Sequence, residues 1–383
     1  MTVMEGEFRA LVGVRAFAAG FVVAWHAFPI LLLVAPGAEP IRNALFGFAV
    51  LAVDFFFILS GFIIAEKYLD SMTRLSWERT RHFYTLRFAR IWPVHVALVV
   101  AYVVFDQVAI RYRGYGIPPK DAEPLNVAMN VLMLQGIPPG TSINPPAWSI
   151  AVEFGAYLLF PLAALVLARF HTAPAAFVAA FVLLLVGATL YGPLYADASA
   201  FTLTYSLPWM RIAFGFTAGA LLNIGWRSLR NGRYGGGWDV VVAVATAIAC
   251  MATIVVGWSG PFVIPSVAYP FLGVVVLATA GSTGVIGRIL GSGPVEWCGR
   301  ISYSIYLTHF LVITLILWVF ARIGAEDFDR PVQALLGGVA IVVIAVAAVA
   351  SYYVLEEPAR RGIRDWERRR TAVAEQAGRD RDG

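Results

Sequence analysis

Ten apolar runs, each about as long as a bilayer is thick, leave this 383-residue chain a single class of fold. A hydrocarbon core about 30 Å thick is crossed by roughly 20 helical residues, and inside it every backbone N–H and C=O must be satisfied within the segment. The runs lie near 11–34, 44–66, 91–110, 147–169, 173–192, 205–226, 239–258, 262–281, 302–321 and 333–355. They predict an all-α, polytopic integral membrane protein of ten transmembrane helices. Composition agrees, with 59% hydrophobic and 14% charged residues and a mean hydropathy of +0.73, too few polar residues to cover a soluble surface. The first run is read as a spanning helix rather than a cleaved signal peptide, because it exceeds the usual ~7–15-residue apolar core and contains ionisable groups. Residues 118–140 are too short and too proline-flanked to span, and read as an interfacial helix within a long loop.

With the N-terminus in the cytoplasm, 21 of the 29 Lys and Arg residues fall on the cytoplasmic side and six on the other. That asymmetry places both termini in the cytoplasm. Residues 1–358 read as one membrane domain and 359–383 as a charged cytoplasmic tail that extends the last helix. The surplus of cations over anions is loop charge, and no basic, aromatic-interleaved nucleic-acid module accompanies it. Two cysteines, Cys250 and Cys298, supply neither a disulfide framework nor a metal site. No internal repeat is visible.

Ionisable residues inside the runs carry the most information, since each costs about 2.5–3.5 kcal/mol at a helix centre and therefore marks a pathway or a site. In VRAFAAGFVVAWHAF (14–28), Arg15 and His26 are eleven residues apart, which puts them on one helix face. The second run, VDFFFILSGFII, holds Asp54 near its middle and Ser60-Gly61 near its cytoplasmic end, where glycine admits close approach. The fourth begins NPPAWSIAVEF and sets Glu153 about 9 Å below the outer surface, a depth similar to that of His26. The ninth adds His309 in its cytoplasmic half. Arg211, at the outer start of the sixth, reads as an interfacial anchor.

The segment SWERTRHFYTLRFARIWPVH (76–95) is dense in cations and aromatics, a topology signal and a membrane-surface helix. Within it Arg87 and Arg90 share a helical face, and paired guanidinium forks suit phosphate.

Taken in order, Arg15 and His26 with ten residues between, FFFILSGF (55–62), Arg87-x-x-Arg90 followed by IWP, WSIAVEF (148–154), YSIYLTHF (303–310) and EEP (356–358) resemble the family-3 membrane acyltransferases, which O-acetylate polysaccharides and antibiotics. Members often carry an aspartate in the first motif, where this chain reads ALVGVR. The resemblance implies an O-acyltransferase of the cytoplasmic (inner) membrane that moves acyl groups, usually acetyl from acetyl-CoA, to a hydroxyl of a carbohydrate, glycolipid or small-molecule acceptor. It implies functional roles for Arg15 and His26, and contact between the CoA nucleotide and the pair Arg87 and Arg90.

On that basis acyl-CoA is a co-substrate from the cytoplasm, with no permanently bound cofactor and no metal. Its phosphates would meet Arg87, Arg90 and Arg15, and its pantetheine arm would pass Ser60 and Gly61. His26 would serve as general base or as a transient acyl carrier. Glu153 would orient the ring, and Asp54 and His309 would line the route. A proton-coupled secondary transporter using His26 and Glu153 as relay groups is the alternative of a different class, and a succinyl or longer acyl donor is the alternative within enzymes.

Overall fold

The computed structural model describes residues 8–111, 123–196, 207–229, 237–259 and 264–382. Among them the regular structure is all helical, with short 3₁₀ turns and one π turn, and an irregular stretch at 132–144. The helices are α1 (Arg9–His26), α2 (Phe28–Val34), α3 (Arg42–Tyr68), α4 (Trp77–Arg111), α5 (Pro124–Val131), α6 (Trp148–Leu167), α7 (Ala173–Ala196), α8 (Leu207–Leu229), α9 (Gly237–Ser259), α10 (Ile264–Gly281), α11 (Val285–Leu290), α12 (Gly293–Arg300), α13 (Ser302–Ile323), α14 (Arg330–Ser351) and α15 (Glu357–Asp382).

Each of the ten expected runs falls on helix, but the expected count of ten spans is not reached by length and apolarity. Seven helices among the described residues are long and apolar enough to cross a membrane, or eight if the bent pair α1 and α2 is one span. The two remaining runs fall on α8 and α10 (Ile264–Gly281). Helix α8 carries Arg211, Asn223 and Arg227, which lower its apolarity, and most of its length is buried among other helices. The segment 118–140, expected as an interfacial helix, lies partly outside the described residues; its described part contains a helix, α5.

The first run is not one straight helix. Helices α1 and α2 meet at 65° across Ala27, because Pro29 has no N–H to continue the ladder and its ring clashes with the carbonyl of Trp25. Ala27 closes α1 with bonds from its N–H to carbonyls at Val23 and Trp25. His26 is therefore a helix-terminal residue, set at a bend. The cationic segment 76–95, expected as a membrane-surface helix, supplies from Trp77 the opening turns of α4, which runs 35 residues through Pro93. At 1.5 Å per residue α4 is about 52 Å long, longer than the hydrocarbon core.

Close helix crossings organise the bundle. A Cβ added to Gly61 on α3 would overlap the carbonyl oxygen of Phe216 on α8, and one added to Gly219 on α8 would overlap that of Ile58 on α3. The two glycines thus make one reciprocal backbone contact, as small residues do in membrane bundles. Gly61 accordingly faces α8 and is spent on packing, so the expectation that it lines a donor path is corrected. A second crossing presses α11 and α12 against α1, with Gly13 under the carbonyl of Leu290 and Gly299 under that of Val12.

Buried charge joins the same pair of helices. Arg211 Nε donates to Asp54 Oδ1 at 2.8 Å, with side chains 5% and 0% exposed, and its Nη2 donates to the carbonyl of Val50. The guanidinium also lies 5.1 Å from the centre of the Trp148 ring. Arg211 is thus no interfacial anchor, and Asp54 is a bridge between α3 and α8 rather than a route-lining group. Further along, Glu66 accepts from Asn223 Nδ2 and Arg227 Nε. Large apolar side chains such as Leu335, Ile341 and Val346 on α14 and Val178, Val182 and Leu185 on α7 point outward, the arrangement lipid requires. Helix α15 continues from α14 through the π turn Tyr352–Glu356, and Glu367 on it accepts from both terminal nitrogens of Arg81 on α4.

Two outcomes follow from these contacts. Gly219→Val, which must push α3 and α8 apart, should destabilise the protein by about 1–3 kcal/mol, seen as a lowered unfolding temperature in detergent. Gly338→Ala, where the added atom meets open space, should leave that temperature unchanged. Asp54→Asn should cost about 3–5 kcal/mol by leaving a buried guanidinium uncompensated, and replacing both partners with Leu and Met should recover most of the loss in the same melt.

Candidate active site

His26, at the α1 terminus, is half-buried and meets α13. His309 Nε2 lies 3.0 Å from His26 Nδ1, the ring centres are 5.0 Å apart, and Phe310 stands edge-on to His26 at 5.0 Å. His309 thus touches His26 directly. Each ring is also tied to its own helix: His26 Nδ1 donates to the carbonyl of Val22 at 2.9 Å, and His309 Nδ1 to that of Ile305 at 3.0 Å. Nε2 of His26 has no partner among the described residues.

The start of α6 fixes α13 beside this pair. Asn144 Nδ2 donates to the carbonyl of Leu307, and the Tyr306 hydroxyl joins Ser149 Oγ at 2.8 Å and the carbonyl of Pro146 at 3.1 Å. The paired prolines of NPPAWS form a short 3₁₀ turn whose fixed φ angles suit a helix start. That turn presents both carbonyl and side-chain partners to α13.

A second polar group lies toward the Arg9 end of α1. Glu153 Oε1 accepts from Ser60 Oγ at 2.7 Å and from the Tyr157 hydroxyl at 2.5 Å, and Ser60 Oγ also meets Tyr157 at 2.9 Å. The expected pairing of Glu153 with His26 is therefore corrected: equal depth along two helices did not fix their rotation, and α6 turns this carboxylate toward α3. Arg15 and Arg90 lie within electrostatic reach of each other and of Glu153, Tyr157 and Glu356. Neither arginine makes a hydrogen bond or ion pair with a described residue, and both are half-buried. Arg87 approaches the same place differently. Its Nη2 donates to the Tyr68 hydroxyl at 3.1 Å, and its guanidinium packs on the rings of Tyr68, Phe83 and Tyr157 at 5.3, 6.0 and 5.8 Å.

Three participants had no role assigned from the sequence. Tyr157 is one turn beyond Glu153 and Tyr306 is three residues before His309, so helical spacing alone places each on the face of its neighbour. Glu356, buried and accepting from Ser304 Oγ at 2.6 Å, ends the π turn, and no periodicity marks a π turn in advance. No cluster of three metal-ligating side chains occurs among the described residues.

The two groups define a chemistry. At one level stands an imidazole with a free ring nitrogen; about 16 Å away along α1, by helical rise, two guanidiniums stand without partners in a place that favours an anion.

Residues 8–350 match the model of the acyltransferase domain family. The chain is similar to acyltransferase MdmB of Streptomyces mycarofaciens, 28% identical over 334 residues that cover 81% of each chain. It is also similar to the peptidoglycan O-acetyltransferase OatA of Listeria monocytogenes serovar 1/2a, 27% identical over 290 residues, covering 69% of this chain and 45% of that relative. The chain thus spans less than half of the second relative's length. No solved structure matches it. With a family match over nearly the whole chain and a bundle of membrane-spanning helices, the protein belongs to the acyltransferase family and is a membrane acyltransferase.

Proposed function

We propose that the protein transfers an acyl group, acetyl in the simplest case, from cytoplasmic acyl-CoA to a hydroxyl of a carbohydrate or related acceptor on the far side of the membrane. The observation that carries this reading is the free Nε2 of His26 on the same helix as the unpartnered Arg15. Arg15 and Arg90 bind phosphate groups of the donor, with Arg87 held ready by its aromatic cradle. Ser60 and Tyr157 keep the Glu153 carboxylate from closing onto the arginines. That leaves their donors available to a ligand.

At the other end, His26 Nε2 takes the proton of the acceptor hydroxyl as its oxygen bonds to the acyl carbon. The carbon–sulfur bond breaks and the CoA thiolate leaves, to be protonated after departure. An acyl-imidazole formed first on Nε2 gives the same balance in two steps. The excess of Lys and Arg on one side supports a cytoplasmic donor face in the inner membrane. The carbohydrate acceptor class is supported by the O-acetyltransferase relative.

Membranes given acetyl-CoA labelled in the acetyl group should pass label to envelope glycan or secreted product, and His26→Ala should lower that transfer by about 10²–10⁴-fold at equal protein level. Undiminished labelling would remove His26 from the chemistry. For the donor end, Arg90→Ala should weaken CoA binding by at least about tenfold, the loss of a charge-assisted hydrogen bond, and make affinity less sensitive to salt. Arg81→Ala, whose guanidinium is already engaged by Glu367, should bind CoA as the parent does. Equal affinity in both variants would show that Arg90 does not meet the donor.

A further inference from the structure

The bonds around the histidine pair select its protons. A helix carbonyl only accepts, so Ile305 O at 3.0 Å requires a hydrogen on His309 Nδ1, and Val22 O at 2.9 Å requires one on His26 Nδ1. A neutral imidazole has one N–H. Both Nε2 atoms are then lone pairs, and that of His309 lies 3.0 Å from the His26 Nδ1 hydrogen. This hydrogen is shared between Val22 O and His309 Nε2. The reverse assignment would set two ring lone pairs against two carbonyl oxygens at those same distances, with nothing gained in return.

From this geometry we propose that His309 is a positioning residue for the reaction: it holds the Nδ1 hydrogen of His26 and so leaves Nε2 of His26 as the lone pair that takes the acceptor proton. The inference rests on the assignment of His26 as the reacting base or acyl carrier. His309 itself touches no reacting atom. Its Nε2 is in place before the reaction, and as His26 becomes imidazolium the bond from His26 Nδ1 becomes charge-assisted and strengthens. An interaction that grows toward the transition state raises kcat rather than donor affinity. The anchor for His309 is the carbonyl of Ile305 in its own helix, while Asn144, Ser149 and Tyr306 set the position of that helix. The device thus depends on the α6 start as well as on α13.

Nitrogen-15 NMR of the histidine-labelled protein in nanodiscs, with His26 assigned by its loss in His26→Gln, reads the tautomer directly. The expected result is a protonated Nδ1 and a pyridine-type Nε2 on His26; a protonated Nε2 in the neutral ring overturns the proposal. In turnover assays His309→Leu should lower kcat on the order of 10²-fold with the KM for acetyl-CoA unchanged. His309→Gln, whose side-chain oxygen can accept from His26 Nδ1, should recover part of that loss. Equal kcat in the Leu and Gln variants overturns the proposal, as does full activity in His309→Leu. If His26→Ala is inactive while His309→Leu is fully active, only the positioning role is lost; if His26→Ala is itself active, the functional reading beneath it is lost as well.

Discussion

A polar side chain inside hydrocarbon has to be matched by another part of the protein, by water in a cleft, or by something that arrives. That demand sorts the interior of this protein into two sets. Asp54 with Arg211, Glu66 with Asn223 and Arg227, and Ser304 with Glu356 are matched within the fold. They join helices, and the first two lock α3 to α8 alongside the glycine crossing. Arg15, Arg90 and Nε2 of His26 are not matched by any described residue. The distinction is physical: Arg15 and Arg90 feel Glu153 and Glu356 only at a distance, and a half-buried guanidinium that donates to no side chain carries a standing cost that a bound anion would offset.

The bend at Ala27 is the second element on which the site depends. A straight span over 11–34 would continue the ladder past His26. Pro29 ends the helix there instead, and the last residue of α1 meets α13 side-on. The pressure of α11 and α12 on α1, through Gly13 and Gly299, sets where α13 begins and hence which of its turns meets His26. Small residues at two crossings and one proline therefore place the two imidazoles. Local backbone chemistry, rather than any long-range attraction between the rings, fixes their distance.

Much of this was legible in the sequence, and the misreadings share one cause. Hydropathy located a helix at each of the ten runs, because apolar length is a local property of the chain. It does not separate a helix that faces lipid from one such as α8, which is apolar toward protein neighbours and carries charges that a lipid-facing helix would not. The spacing of Arg15 and His26 was read correctly as one face of one helix for the same local reason. Partners were another matter. Depth pairs Glu153 with His26 but says nothing of azimuth; α6 is rotated so that its carboxylate meets Ser60 and Tyr157. Asp54 and Arg211 are 157 residues apart, and each taken alone reads as an isolated anomaly. The contact between His309 and His26 joins residues far apart in the chain, and no local pattern marks it.

The separation along α1 constrains what the proposed donor can be. About 16 Å of helix lies between the arginine end and the imidazole, so a compact anion held by Arg15 and Arg90 cannot present a reactive carbonyl to His26. A molecule with a phosphate-rich head, a slender apolar-tolerant arm and an activated acyl group at its tip spans that distance. The same geometry speaks against a simple proton relay along α1, because a relay requires groups within one hydrogen bond of the next. Between Arg15 and His26 this helix offers only Ala, Phe, Gly, Val and Trp side chains. An elongated acyl donor meets the spacing, the charge at one end and the free nitrogen at the other with a single ligand.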